Sequence, residues 1–144
     1  MDANETYNAE IARAKAYKAM AECYYPPERA TIQHARHLSQ NLKTLCPAAS
    51  EAADRMEAAL LAYEGVEDLV IDHARLFVGP FALLAPPYGS VYLDGERRCM
   101  GDSTLDVGSR YREVGLGTAP GFNDAPDHIA AELEFMHFLV MRLL

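Results

Sequence analysis

The chain has 144 residues, 50% hydrophobic and 24% charged, which is the composition of one folded domain with a core and not of a disordered segment. A formal net charge of −8 removes the basic footprint that nucleic acid or an anionic membrane surface requires, and it favours a cationic partner. No apolar run reaches membrane-spanning length, so no integral membrane segment is expected, and the polar start MDANETYNAEIARAK does not read as a targeting segment.

Helical spacing begins at once. Tyr7, Ile11, Ala14, Tyr17, Ala21 and Tyr24 step by three and four, which predicts a helix from Thr6 to Cys23 stopped by Pro26-Pro27. Ala35, Leu38, Leu42 and Leu45 repeat the pattern before Pro47, and a third helix runs from about Ser50 through Met56, Leu60 and Tyr63. Gly65 is placed to end that third helix in the left-handed conformation. A fourth uses Val66, Leu69, Val70, His73 and Leu76 or Phe77, and stops at Gly79-Pro80. Four amphipathic helices with short connections predict an all-α bundle in a single domain spanning 1–144.

From about Val78 to Gly101 the regularity breaks, giving a long irregular Pro-rich loop. Pro86 and Pro87 hold the chain extended into Tyr88, and SVYLDGERRC is compatible with a small hairpin about Asp94-Gly95. Ordered loops of this length inside helical domains tend to be functional. Ser103-Thr104-Leu105-Asp106 has the form of a capping box, and Gly115 ends the helix that follows. After the loop GLGTAPGFNDA comes a last helix, with Asn123 or Asp124 as its cap and Pro126 in its first turn. Ile129, Leu133, Phe135, Met136, Phe138, Leu139, Val140, Leu143 and Leu144 make it apolar nearly all round. Such a helix is expected at the centre of the fold, with further helices after Leu144, so the 144 residues read as a truncated domain.

Several polar groupings invite a chemical reading. Three scattered cysteines, Cys23, Cys46 and Cys99, contain no CxxC and read as reduced cytoplasmic thiols and small core residues. Glu134-Phe135-Met136-His137 has the ExxH spacing of di-iron bundles, but no second copy completes a ligand set. His34 and His37 lack a neighbouring acid or cysteine and read as a solvated face, while Asp72 and His73 are adjacent on a helix and point apart. Gly115, Gly117 and Gly121 lack the lysine and hydroxyl of a P-loop, although their amides can meet an anion.

Asp127-His128 admits two readings. One is a dipole-complementing acid beside a surface histidine. The other is the rim of a cleft lined by aromatics such as Tyr88 and Tyr92, of the kind that fits a short basic and apolar peptide.

Three stretches together carry a family resemblance: RLFVGPFALLAPPYGSVY (Arg75 to Tyr92), a YxxxG from Tyr111 to Gly115, and APDHIAAELEFMHFL (Ala125 to Leu139). In that order they resemble the TorD/DmsD group of redox-enzyme maturation chaperones, relatives of NarJ, over about Asp72 to Leu139. The resemblance implies a cytoplasmic, all-helical, TorD-like chaperone that is not an enzyme and carries no cofactor of its own. It implies as partners the twin-arginine leader and the apo form of a molybdenum oxidoreductase of the DMSO reductase type, held until molybdopterin is inserted. It also associates the group with weak guanine nucleotide binding and with homodimers that exchange helices.

Carried over by position, Pro126, Asp127 and His128 match the leader-binding motif, with Pro86, Pro87 and Tyr88 on the neighbouring loop. The expected mechanism places Asp127 first and Glu132 second against the leader's arginines, and packs its apolar stretch on Phe77, Phe81, Leu84 and Tyr88. His128 is expected to titrate near neutral pH and modulate the grip. The competing expectations are a metal-dependent helical-bundle enzyme using Glu134 and His137, and a helical interaction module for an unrelated client.

Overall fold

In the computed structural model, which describes residues 2–79 and 84–144, helix α1 (Ala3–Tyr24) begins at a capping box. Asp2 Oδ1 accepts the Glu5 amide at 2.7 Å and Glu5 Oε2 accepts the Asp2 amide at 2.8 Å, so the helix starts a turn earlier than its apolar spacing predicts. Its buried face is almost entirely alanine: Ala12, Ala14, Ala16, Ala19 and Ala21. Small side chains let neighbouring helices approach closely on two sides. Ala16 and Ala19 pack with Leu38 of α2 (Thr31–Leu45) and Ala53 of α3 (Pro47–Leu61). Ala21 packs with Ala130 and Leu133 of the last helix.

The expected apolar last helix packs along α1. Among the described residues α1 holds the centre, and the closing helix buries only Ala130, Leu133 and Val140, while Met136, Met141 and Leu143 stay exposed. Alanine contributes little apolar area, so α1 conceals its central place in the sequence.

Beyond α3 the chain turns through Gly65, which is extended at φ −155° and precedes α4 (Val66–His73), so it is not the expected left-handed terminator. One wide turn of π-helix, Ala74–Val78, continues α4 and ends at Gly79 with φ +46°. Among the described residues the expected hairpin is absent. Ser90–Leu93 forms the short helix α5, and the pairing found there is an isolated antiparallel bridge between Tyr88 and His128. Asp94 turns instead to the start of α6 (Asp102–Glu113), where its carboxylate accepts the Ser103 amide at 3.0 Å and the Ser103 hydroxyl. The start of α6 is thus closed by Asp94 from outside, not by a box of Ser103 and Asp106. Gly115 ends α6 as expected, left-handed at φ +77° with its amide on the Arg112 carbonyl.

Helix α7 (Ile129–Leu143) then returns along α1. The described elements are all α-helical apart from that π turn, and no helix among them is long and apolar enough to cross a membrane.

Candidate functional site

The Tyr88–His128 bridge fastens the Pro-rich loop to the APDH stretch. Two backbone bonds make it: the Ile129 amide donates to the Pro87 carbonyl at 2.8 Å, and the Gly89 amide donates to the Asp127 carbonyl at 3.0 Å. Pro86 and Pro87 keep their segment extended, as the sequence predicts, and both are buried.

Asp127 is 1% exposed. Its Oδ2 accepts the Ser90 amide at 2.8 Å, and the Ser90 hydroxyl oxygen in turn accepts the Met100 amide at 3.2 Å. Burial raises the Asp127 pKa, but the Ser90 amide and the nearby Ser90 and Thr104 side chains outweigh it and leave the carboxyl below its ordinary 3.8, while Oδ1 is buried with no hydrogen-bond partner among the described residues. The group is a charged cap folded into the protein.

His128 takes the helix-capping place expected of Asn123 or Asp124. Its Nδ1 accepts the Ala130 amide at 3.1 Å, which fixes the neutral tautomer with the proton on Nε2. Asp124 serves Tyr88 instead, accepting its hydroxyl at 2.7 Å. The buried imidazole is enclosed by rings: Tyr88 edge-on at 5.4 Å, Phe122 edge-on at 6.2 Å, and Tyr25 parallel at 6.5 Å. Burial holds its pKa below 6.5, which corrects the expectation of titration near neutrality.

Around this bridge lies a hollow of about 270 Å³. Tyr24, Phe77, Pro86, Pro87, Tyr88 and Tyr92 give it apolar walls, and Asp127 and Glu132 supply its carboxylates. Glu132 stands over Gly89, where an added Cβ would lie 3.4 Å from Oε1. Burial, then the charge of Asp127, raises the Glu132 pKa above 4.5. Among the described residues no ion pair involves Glu132. Of the two expected acids, Asp127 is buried and bonded through Oδ2, and Glu132 is half-buried in the lining without an ion-pair partner among the described residues.

Asp127, Tyr88, Pro86, Pro87, Phe77 and Glu132 all come together in the hollow, with His128 directly behind Tyr88. Two expected residues do not join them. Pro126 does not line the hollow, its carbonyl accepting the Tyr111 hydroxyl at 2.9 Å, and Leu84 is 72% exposed and does not line it either. Phe81 lies outside the described residues. Tyr24, Gly89, Ser90 and Ile129 are site residues that sequence reasoning missed. Tyr24 is the last residue of α1, and the Pro26-Pro27 stop was the available signal that its ring borders a loop.

The other groupings are held by packing. Glu134 receives Lys18 at 2.8 Å and His137 Nδ1 donates to the Ala14 carbonyl at 2.9 Å, so both join α7 to α1. Asp72 accepts the Tyr63 hydroxyl and His73 donates to the Tyr24 carbonyl. Among the described residues no group of three or more His, Cys, Asp or Glu is placed to hold a metal. Burial pushes the Cys23 thiol up to about 11, far from a reactive thiolate.

The family model described as the nitrate reductase delta subunit matches residues 36–144. The chain is 42% identical over 76 residues to the Tat proofreading chaperone DmsD of Salmonella typhi, covering 53% of this chain and 37% of that one. It is 30% identical over 103 residues to the chaperone protein TorD of Photobacterium profundum, covering 68% and 47%. The chain thus spans less than half the length of these curated relatives. A solved structure described as a redox enzyme maturation protein from Archaeoglobus fulgidus matches 90% of this chain and 73% of its own, with a TM-score of 0.62 at 19% identity, which shows the shared fold. The chain belongs to the nitrate reductase delta subunit family, among the TorD/DmsD redox-enzyme maturation chaperones.

Proposed function

We propose that the chain binds the twin-arginine signal peptide of a molybdopterin-containing oxidoreductase of the DMSO reductase type. In this role it is a cytoplasmic chaperone and not an enzyme, holding the apo client during cofactor insertion and releasing it for export. The observation that carries the reading is Glu132: a half-buried carboxylate without an ion-pair partner among the described residues, set in an aromatic and proline-walled hollow.

A raised carboxyl pKa means that the site by itself disfavours the charge on Glu132. An arriving guanidinium relieves that cost with two parallel hydrogen bonds, which a planar cation makes better than an ammonium. Beyond Tyr24 and Phe77, which also line the hollow, an apolar groove of about 520 Å³ runs along Met20, Leu38, Leu42 and Met56. A leader has a basic segment followed by an apolar run, and the adjoining hollow and groove match those two parts in chemistry. Methionines suit apolar runs of differing sequence because their side chains repack easily. Ordering a flexible peptide costs entropy, so the complex is reversible, as release demands. The proposal requires neither guanine nucleotide nor a helix-exchanged dimer.

Calorimetric titration with a synthetic leader peptide tests it. The peptide with adjacent arginines is expected to bind, and its double-alanine counterpart to bind at least about tenfold more weakly. Equal affinity for the two would overturn the reading and leave a module for unrelated helical or apolar clients.

A further inference from the structure

A second hollow, of about 280 Å³, lies on the side of the His128 ring marked by Tyr25 and Phe122. Four aromatic rings wall it, those of Tyr25, Tyr111, Phe122 and Phe135, and Glu134 is its one charged lining residue. The Tyr111 and Phe135 rings tilt together at 4.8 Å. Aromatic rings carry a quadrupole that favours cations, so a space walled by four rings and one carboxylate suits a cation whose stem is apolar.

The surroundings reinforce that sign. Burial first, then Glu134, Asp124 and Glu22, pushes the Tyr25 phenol up to about 12. Lys18 holds Glu134 Oε1 at 2.8 Å and also lies 3.6 Å from Glu22 Oε1, with its side chain 43% exposed. An incoming cation can therefore displace Lys18 toward Glu22 without leaving the lysine unpaired.

We propose that this aromatic hollow is a second cation subsite, which takes one arginine of the leader while the Glu132 cleft takes the other. The inference rests on the leader-binding reading above. Neighbouring residues of an extended peptide project to opposite sides, which suits two hollows separated by the His128 ring. Order follows from the apolar groove beyond Tyr24 and Phe77. The second arginine, next to the leader's apolar run, lies in the Glu132 cleft, and the first lies in the aromatic hollow. Two subsites of this kind select paired cations over a single one.

The test is calorimetry on the wild type and on Glu134→Gln, Phe122→Ala and Glu132→Gln, with circular dichroism confirming that each is folded. Each protein is titrated with leader peptides carrying both arginines, only the first, only the second, or neither. Glu134→Gln and Phe122→Ala should each weaken the two-arginine peptide about fivefold to tenfold and leave the peptide lacking its first arginine unchanged. Glu132→Gln should show the mirror pattern, with no effect on the peptide lacking its second arginine. Phe122 lies in a loop, so its variant does not depend on the Lys18 contact that Glu134→Gln removes. If the wild type prefers the two-arginine peptide but Glu134→Gln and Phe122→Ala weaken all peptides alike, or none, the second subsite is refuted and the cleft reading stands. If the wild type does not distinguish two arginines from none, both fall together.

Discussion

The Ser90 amide donates to Asp127 Oδ2 at 2.8 Å, and this one bond ties the APDH stretch to the first turn of α5. Because Asp127 is 1% exposed, its removal leaves a buried amide without an acceptor. Asp127→Ala is expected to lower unfolding stability by about 1–3 kcal/mol, read from urea midpoints. The sign with pH follows from its lowered pKa: the contribution is present above the ordinary 3.8 and is lost as pH falls through the lower folded-state value. Leader affinity measured on this variant without a stability measurement would confuse loss of fold with loss of a contact.

Glu132 behaves in the opposite way. Its folded-state pKa is raised, so the native chain holds more protons than the unfolded chain between 4.5 and that value, and stability falls as pH rises through this window. Glu132→Gln should therefore leave stability equal or slightly higher while weakening the leader peptide about tenfold. A bound guanidinium lowers the pKa again, so binding at a pH between 4.5 and the raised folded-state value should release protons, visible as a dependence of the calorimetric heat on buffer ionisation enthalpy. An unchanged heat across buffers would mean that Glu132 does not meet the cation.

Much of this arrangement is legible in the sequence, for identifiable reasons. Pro86-Pro87 forces an extended segment, and helical spacing places α1 to α4 and α7, so the segments that form the cleft can be named in advance. Side-chain direction cannot be read the same way. Asp124 and Asp127 each stand close to the start of α7 in sequence, yet the first serves Tyr88 and the second serves Ser90. Local spacing predicts that an acid caps the nearest helix. A partner 37 residues away, as Ser90 is from Asp127, leaves no periodic trace. The centrality of α1 is hidden by the same logic, since alanine reports close approach and not hydrophobicity.

His128 gives a second pH signature. Its neutral Nδ1 accepts the Ala130 amide, and burial holds its folded-state pKa below 6.5. Below that value the unfolded chain takes up a proton that the native chain refuses, so this contribution is complete above 6.5 and diminishes as pH falls toward the folded-state pKa. His128→Asn keeps a capping acceptor but does not titrate, and the decline of urea midpoint with acid in that window should flatten. A slope identical to that of the wild type would show that the imidazole is free to protonate in place.

Gly89 offers a variant that separates the cleft from the fold. Its backbone sits at φ −59° and ψ −40°, which any residue adopts, so Gly89→Ala meets no backbone strain. Loss of glycine's freedom in the unfolded chain favours the native state by about 0.4–1 kcal/mol. The new methyl would lie 3.4 Å from Glu132 Oε1 and 3.9 Å from Asp127 Cβ, inside the space that a guanidinium must enter. The expected result is an unchanged or higher melting temperature together with leader affinity reduced by about threefold or more, because a crowded carboxylate loses the alignment on which paired hydrogen bonds depend. If affinity is preserved in a folded Gly89→Ala protein, the cation does not approach Glu132 over Gly89, and the cleft must be entered from another side.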